Sequence, residues 1–153
     1  ENFQNIDAVA GVATGAIAQG ALVADTLGLP YVYVRSSPKD HGLENLIEGN
    51  LKPGQRVVVI EDLISTGGSS LKAVEAIRNA GCEVAGMAAI FTYGFPIAVK
   101  KFKAAKVDLV TLSNYNAMLE AALETNYISA SDVETLQEWR KDPAAWQPNN
   151  DQQ

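Results

Sequence analysis

The chain has 153 residues, of which 47% are hydrophobic and 20% charged, a composition typical of one globular domain with a single core. Its formal net charge of −6 argues against nucleic acid as a partner, because a nucleic-acid-binding surface normally needs a basic face. The single cysteine, Cys82, excludes an internal disulfide and fits a reducing compartment such as the cytoplasm, and no apolar run approaches the ~18–20 residues of a membrane span.

The first third of the chain predicts a strand, a helix and a second strand. Apolar and β-branched runs indicate strands over residues 6–12 and 30–34, and near-helical spacing indicates a helix over residues 15–27 that stops at Gly28. Residues 35–55 are polar and rich in turn residues, and we expect no regular structure there. A loop of this length is typical of a lid, a binding loop or a disordered segment, so we expect it to be mobile.

The same alternation continues to the carboxyl terminus. Strands are predicted over residues 56–60, 84–91 and 107–112, and helices over residues 69–80 and 96–105. Ser113 is the expected N-cap of a further helix that runs through Leu123. Residues 131–134 have the pattern of a capping box and open a last helix, which must end before Pro143. Residues 147–153 are expected to form a disordered tail.

This order of elements predicts the fold class. Strands that alternate with helices give an open, mainly parallel α/β sheet with helices on both faces, and we expect residues 1–153 to form one core domain. Ligands of such sheets bind at the carboxyl ends of the strands. The strand-to-helix turns are therefore the places where a binding site is expected.

One of these turns, residues 57–69, has the composition of a binding site. A buried strand is predicted to end at Ile60, and the two carboxylates of Glu61 and Asp62 follow it. Small hydroxyl and glycine residues then lead into a helix, where backbone N–H groups can cradle a phosphate. The acidic end of the turn suits sugar hydroxyls and a hydrated Mg²⁺, a cation that prefers oxygen ligands.

Other motifs with similar parts do not fit residues 57–69. A Walker A loop needs a lysine that is absent here, and the glycine spacing of a dinucleotide-binding fingerprint is also absent. A receiver domain places acidic residues after a strand, but it does not follow them with Ser-Thr-Gly-Gly-Ser at the start of a helix. An ordinary corner with a solvated acid pair is the remaining alternative, and the order and spacing of the three parts argue against it.

Residues 57–69 resemble the 5-phosphoribosyl 1-pyrophosphate (PRPP) motif of type I phosphoribosyltransferases. In that family the two acids bind the ribose hydroxyls and the small residues bind the 5′-phosphate. The resemblance therefore implies these roles for Glu61 and Asp62 and for the residues after them. The implied PRPP-binding residues of the turn are Glu61, Asp62, Leu63, Ile64, Ser65, Thr66, Gly67, Gly68 and Ser69.

A second stretch, residues 35–42, is similar to the mobile loop of orotate phosphoribosyltransferases. That loop carries Arg, Lys and His followed by Gly, and it serves the neighbouring subunit's site in a dimer. The resemblance implies that Arg35, Lys39 and His41 bind PRPP across the interface of a homodimer, and that Lys39, His41 and Asp62 are the catalytic residues. A solvated surface loop is the alternative.

Three positions depart from the family pattern. Ser36 stands where many orotate enzymes have a second Lys, and Thr14 stands in the expected pyrophosphate loop, residues 13–16, where some members have a Lys. Some members also place an orotate-contacting Arg near Tyr93, and we expect Ser65 and Tyr93 to contact orotate here. The resemblance covers roughly residues 6–146. The family's N-terminal hood over the base is not found, and without an initiator Met we expect a fragment or a trimmed protein.

The resemblance implies a Mg²⁺-dependent reaction in which orotate and PRPP give orotidine 5′-phosphate and pyrophosphate, a step of pyrimidine biosynthesis. Mg²⁺ is expected to be held through PRPP and water near Glu61 and Asp62, with no direct protein ligand. The alternatives are a purine phosphoribosyltransferase, a non-catalytic regulator that senses PRPP or a nucleotide, and an inactive fragment. We expect a cytoplasmic protein without nucleic-acid or membrane partners.

Overall fold

The computed structural model describes residues 2–35, 37 and 46–146. The predicted tail over residues 147–153 and residues 36 and 38–45 of the predicted mobile loop lie outside this part of the chain. Within it the elements are, in order, β1 (Ala8–Val12), α1 (Ile17–Leu27), β2 (Tyr31–Val34), β3 (Ile47–Glu48), β4 (Arg56–Ile64), α2 (Gly68–Asn79), β5 (Glu83–Thr92), α3 (Pro96–Ala104), β6 (Leu109–Asn114), α4 (Tyr115–Glu124) and α5 (Ala130–Lys141).

The strands form one open sheet in the order β3-β2-β1-β4-β5-β6. Strand β1 lies parallel to both β2 and β4, and β4 lies parallel to β5. Strand β3 pairs antiparallel with β2 at one edge. The carboxyl ends of β1, β2, β4 and β5 therefore meet at the same edge of the sheet.

Helices cover both faces of the sheet. Because side chains of a strand alternate between faces, Val57 and Val59 pack into one hydrophobic cluster with α2 and α3, while Val58 and Ile60 pack into a second cluster with α1. All four of these valine and isoleucine side chains are buried. The predicted open, mainly parallel sheet with helices on both faces is confirmed.

Two strand predictions were wrong in their extent. Strand β4 does not end at Ile60 but runs to Ile64, because Leu63 and Ile64 pair with Phe91 and Thr92 of β5. The acid pair therefore lies inside the last part of a strand. Residues 35–55 also contain regular structure, since β3 pairs with the end of β2 and adds an antiparallel edge strand that its polar surroundings did not indicate.

The glycine that ends a helix was predicted correctly, whereas the polar N-cap residues that begin two helices were predicted at the wrong positions. Gly28 ends α1 in the left-handed conformation, with φ of 65°. Asn114, not Ser113, is the N-cap of α4 and accepts a hydrogen bond from Ala117 N–H at 3.1 Å, because β6 extends one residue beyond Ser113 and the helix starts only after Asn114. The capping box of α5 consists of Ser129 and Asp132 and begins two residues before the predicted one.

The chain forms two compact units. The first ends at Ser113 and contains β1 to β5, nearly all of β6, and α1 to α3; the second begins at Asn114 and contains α4 and α5. In the second unit the Tyr115 ring lies 5.6 Å from the Trp139 ring, and Tyr115 Oη donates a hydrogen bond to Leu136 O. No helix in the described part of the chain has the length and apolar character that crossing a bilayer requires.

Candidate active site

The candidate site lies at the carboxyl edge of the sheet, where the ends of four strands, β1, β2, β4 and β5, carry the residues of interest. The register pairs Val12 with Val34 and Gly11 with Ile60, so the residues that follow β1 and β2 come to the level of the acid pair in the last part of β4. Ala13 N–H donates a hydrogen bond to Val34 O at 2.8 Å and ties the first two strand ends together. This register brings residues 13–16, Arg35 and the acid pair to one edge.

Glu61 is the buried member of the acid pair, with 4% of its surface exposed. Ser70 Oγ donates a hydrogen bond to Glu61 Oε2 at 2.8 Å, and Asp62 N–H donates one to Glu61 Oε1 at 3.0 Å. Burial raises the pKa of Glu61 to about 7; hydrogen bonding with the Asp62 carboxyl adds to the rise, while the hydrogen bonds from Ser70 and from Asp62 N–H oppose it. Glu61 therefore takes up a proton near neutral pH.

Asp62 is the more accessible member of the pair. Its side chain is partly buried, and its Oδ1 accepts a hydrogen bond from Leu63 N–H at 2.7 Å. The carboxylate lies directly against Gly15, so a Cβ at that position would overlap it. Glycine at position 15 thus lets the turn after β1, in which the Ala13–Thr14 peptide bond is cis, pack against Asp62.

The segment from Ser65 to Ser69, named here the phosphate loop, joins β4 to α2. Its hydroxyl-bearing residues Ser65, Thr66 and Ser69 are exposed. Gly67, the N-cap of α2, has φ of 73°, and a Cβ there would lie 2.8 Å from Phe102 Cε2, so glycine is needed for both conformation and space. N–H groups in the first turn of a helix lack intrahelical partners. The start of α2 therefore provides free backbone donors at the phosphate loop, whose hydrogen bonds an anion could accept.

Arg35 is the one member of the predicted cationic set that the structure describes. Its Nη1 lies 3.5 Å from Glu48 Oε1, and its backbone N–H donates to Leu46 O at 2.8 Å, so β3 and the residue before it hold Arg35 at the end of β2. Lys39 and His41 lie outside the described residues. Their predicted roles as catalytic and PRPP-binding residues stay predictions.

The two predicted orotate contacts lie at the ends of neighbouring strands. Tyr93 N–H donates a hydrogen bond to Ile64 O at 3.1 Å, which places Tyr93 beside the peptide that leads into Ser65. The Tyr93 ring stacks on Phe95, with 5.3 Å between ring centroids, and meets Phe91 edge-on at 5.4 Å. These aromatic contacts hold the Tyr93 ring at the edge.

Two residues at this edge were not singled out by the sequence. Ser70 directly follows residues 57–69. Nothing in the sequence distinguishes a serine whose buried hydroxyl donates a hydrogen bond to a carboxylate from an ordinary serine in a helix. Gly15 lies in the expected pyrophosphate loop, yet only the structure brings it against Asp62. A contact between residues that are far apart in the chain has no local signal.

The two carboxylates of the acid pair could supply only some of the oxygen atoms that surround a cation. Within residues 2–35, 37 and 46–146, no three His, Cys, Asp or Glu side chains come together as a metal-holding group. Glu61 already accepts two hydrogen bonds, whereas Asp62 is partly exposed. This donor set fits Mg²⁺, which keeps several waters and commonly uses one or two carboxylates together with substrate phosphates.

Comparisons with known proteins agree with this arrangement. A family model described as "Phosphoribosyl transferase domain" matches residues 1–125. The chain is 71% identical over 147 residues to an orotate phosphoribosyltransferase of Phocaeicola vulgatus, covering 96% of this chain and 69% of that protein. Its structure resembles that of the Aeropyrum pernix orotate phosphoribosyltransferase, with a TM-score of 0.73 and 31% identity over 84% of this chain and 70% of the other. An adenine phosphoribosyltransferase of Rhodothermus marinus is more distant, with a TM-score of 0.64 and 25% identity over 73% of this chain and 71% of the other. The chain therefore belongs to the phosphoribosyltransferase family and, within it, to the orotate phosphoribosyltransferases.

Proposed function

We propose that this chain transfers the 5-phosphoribosyl group from PRPP to orotate, giving orotidine 5′-phosphate and pyrophosphate in pyrimidine biosynthesis. The observation that carries the proposal is the corner between β4 and α2, where an acid pair and a phosphate loop stand together at the carboxyl edge of the sheet. Relatives that are 71% identical carry the name of this activity.

PRPP binds along this corner in the proposed complex. Backbone N–H groups and the hydroxyls of Ser65, Thr66 and Ser69 hold the 5′-phosphate, since the start of a helix favours an anion. Asp62 and Glu61 accept hydrogen bonds from the ribose hydroxyls. Ser65 and Tyr93 contact orotate on the side of β5.

The chemical step needs positioning and charge neutralisation more than a dedicated base. The bond between C1′ and the pyrophosphate oxygen breaks through an oxocarbenium-like transition state, and the ring nitrogen of orotate attacks as an anion. The leaving pyrophosphate carries away the bonding electrons, so cationic side chains stabilise the transition state. Arg35, Lys39 and His41 take this role in the proposal.

Mg²⁺ is part of the proposed reaction. Mg²⁺ would be held through the oxygens of PRPP and through water near Asp62 and Glu61, with no direct protein ligand, and the partly exposed Asp62 carboxylate would accept hydrogen bonds from its water shell. When bound, Mg²⁺ supplies positive charge that offsets the phosphate charges of PRPP. Removal of divalent cations with a chelator is expected to abolish turnover, and added Mg²⁺ is expected to restore it.

The test of the proposed reaction is a pyrophosphate-release assay with PRPP and one of four bases: orotate, adenine, hypoxanthine or uracil. We expect release with orotate and background rates with the other three. Release with a purine instead would make this chain a purine enzyme. PRPP binding without release for any base would favour a non-catalytic sensor.

We further propose a cytoplasmic homodimer in which Lys39 and His41 act at the partner's site. Mixing Lys39→Ala protein with Asp62→Asn protein, with subunit exchange, creates hybrid dimers that carry one intact site each. Activity should rise above both parents toward about a quarter of wild type, if half of the dimers are hybrids in a closed two-fold assembly. A mixture that stays inactive after confirmed exchange would mean that each loop serves its own subunit.

A further inference from the structure

The buried hydrogen bond between Ser70 and Glu61 joins the two halves of the proposed PRPP site. Ser70 lies in the first turn of α2, and Glu61 lies in β4. The donor Oγ and the acceptor Oε2 are 2.8 Å apart, and the two residues are 1% and 4% exposed. The phosphate loop lies between them in the chain, so this bond closes the loop at its base.

Glu61 passes this restraint to Asp62. The second oxygen of Glu61 accepts the backbone N–H of Asp62 at 3.0 Å, while Asp62 in turn packs against Gly15. One hydroxyl therefore helps to fix the start of α2, the acid pair and the turn after β1 relative to one another. A charged or protonated carboxyl at a buried position needs such partners, because an unsatisfied one is costly.

We propose that Ser70 is a positioning residue for PRPP: its hydroxyl holds Glu61 and so keeps the acid pair and the phosphate loop at the spacing that a ribose 5-phosphate requires. This inference rests on the proposed function. Ser70 itself does not touch the substrate. Its loss should weaken PRPP binding more than orotate binding, because both ends of the ribose 5-phosphate depend on the bond, whereas of the two proposed orotate contacts only Ser65 lies in the loop that the bond closes.

The experiment compares three variants of the full chain with wild type. Ser70→Ala removes the hydroxyl, and Ser70→Cys keeps almost the same volume but replaces a strong donor with a weak one. Val74→Ala is the matched control, since Val74 lies one turn further along α2, is 1% exposed in the same helix-to-sheet packing, and has an apolar side chain that cannot hydrogen-bond to the acid pair. Calorimetric titration with PRPP in the presence of Mg²⁺, the KM values for PRPP and orotate, and Tm are measured for each.

The expected order of PRPP affinity is wild type, then Ser70→Cys, then Ser70→Ala, with a loss of about tenfold for Ser70→Ala, the size expected from one hydrogen bond to a charged group. KM for orotate should change much less. Val74→Ala should lower Tm at least as much as Ser70→Ala and leave PRPP affinity near wild type. Near-wild-type PRPP affinity in Ser70→Ala, or losses of affinity that follow Tm in all three variants, would overturn the inference. Wild-type protein that binds no PRPP would overturn the proposed function as well, so the two failures are distinguishable.

Discussion

Two strand ends at the same edge of the sheet hold their charged side chains in opposite ways. At the end of β4, Glu61 is buried and accepts hydrogen bonds from Ser70 and from Asp62 N–H. At the end of β2, Arg35 leaves 29% of its side chain exposed and pairs with Glu48. Buried charges depend strongly on their partners, whereas exposed ion pairs contribute little. Changes at the β4 end should therefore alter ligand binding and pH response, and changes at the β2 end should leave stability nearly unchanged.

Asp62→Asn should produce the largest effect at the β4 end. In the proposed complex the variant would lose charge-assisted hydrogen bonds to ribose, worth about 1.5–3 kcal/mol, so kcat/KM for PRPP should fall by roughly 10- to 150-fold while Tm stays close to wild type. Glu75→Gln is the matched control, because Glu75 is an exposed carboxylate on α2. If kcat/KM for PRPP is unchanged in Asp62→Asn, this residue is not part of the site.

Glu61 should make the stability of the ligand-free protein depend on pH. Burial raises its pKa from the ordinary 4.5 to about 7, so the folded state binds more protons than the unfolded state between these values. The free energy of unfolding then falls as pH rises through this window, by about 2 kcal/mol after allowing for screening at the sheet edge.

Glu61→Gln isolates this contribution, because glutamine does not ionise. Thermal unfolding is measured for both proteins at several pH values from 4.5 to above 7. The Tm of the variant minus the Tm of wild type should increase as pH rises, because only wild type loses stability through the titration of Glu61. A Tm difference that is the same at every pH would show that Glu61 does not titrate in this window.

Gly15→Ala should disturb the same end of the sheet from the neighbouring strand. The added Cβ would overlap the Asp62 carboxylate, so Asp62 has to move, and kcat/KM for PRPP should fall by about tenfold, as expected for one displaced hydrogen-bonding group. The control is Gly15→Ala in an Asp62→Ala background, where the overlap is gone. If Gly15→Ala lowers kcat/KM for PRPP by the same factor in both backgrounds, its effect does not act through Asp62.

Glu48→Gln should have the smallest effect, at the β2 end. The pair with Arg35 is partly exposed, so its loss should cost less than about 1 kcal/mol of unfolding free energy, and added salt should reduce the difference from wild type. Thermal unfolding at low and high salt measures this. If Glu48→Gln lowers the free energy of unfolding as much as the titration of Glu61 does, the two strand ends do not differ in the way described.

The sequence by itself determined the class of the fold and predicted where the candidate site lies. The apolar run before Glu61 predicts a central strand, Gly28 predicts the end of α1, and the glycine-rich run after Ile64 predicts a phosphate loop at the start of α2. These signals are local, because strand periodicity, left-handed helix ends and helix starts depend on neighbouring residues. The resemblance to orotate phosphoribosyltransferases rests on the same local motifs.

Only the tertiary structure decided how these parts meet. Strand β4 continues to Ile64 because β5 offers pairing partners, and residues 47–48 become a strand because the edge of β2 is available. The burial of Glu61 beneath Ser70 and the packing of Asp62 on Gly15 join residues from different elements. Hydrogen-bond pairing and close packing depend on which elements become neighbours in space, and no pattern within a single segment of the chain carries that information.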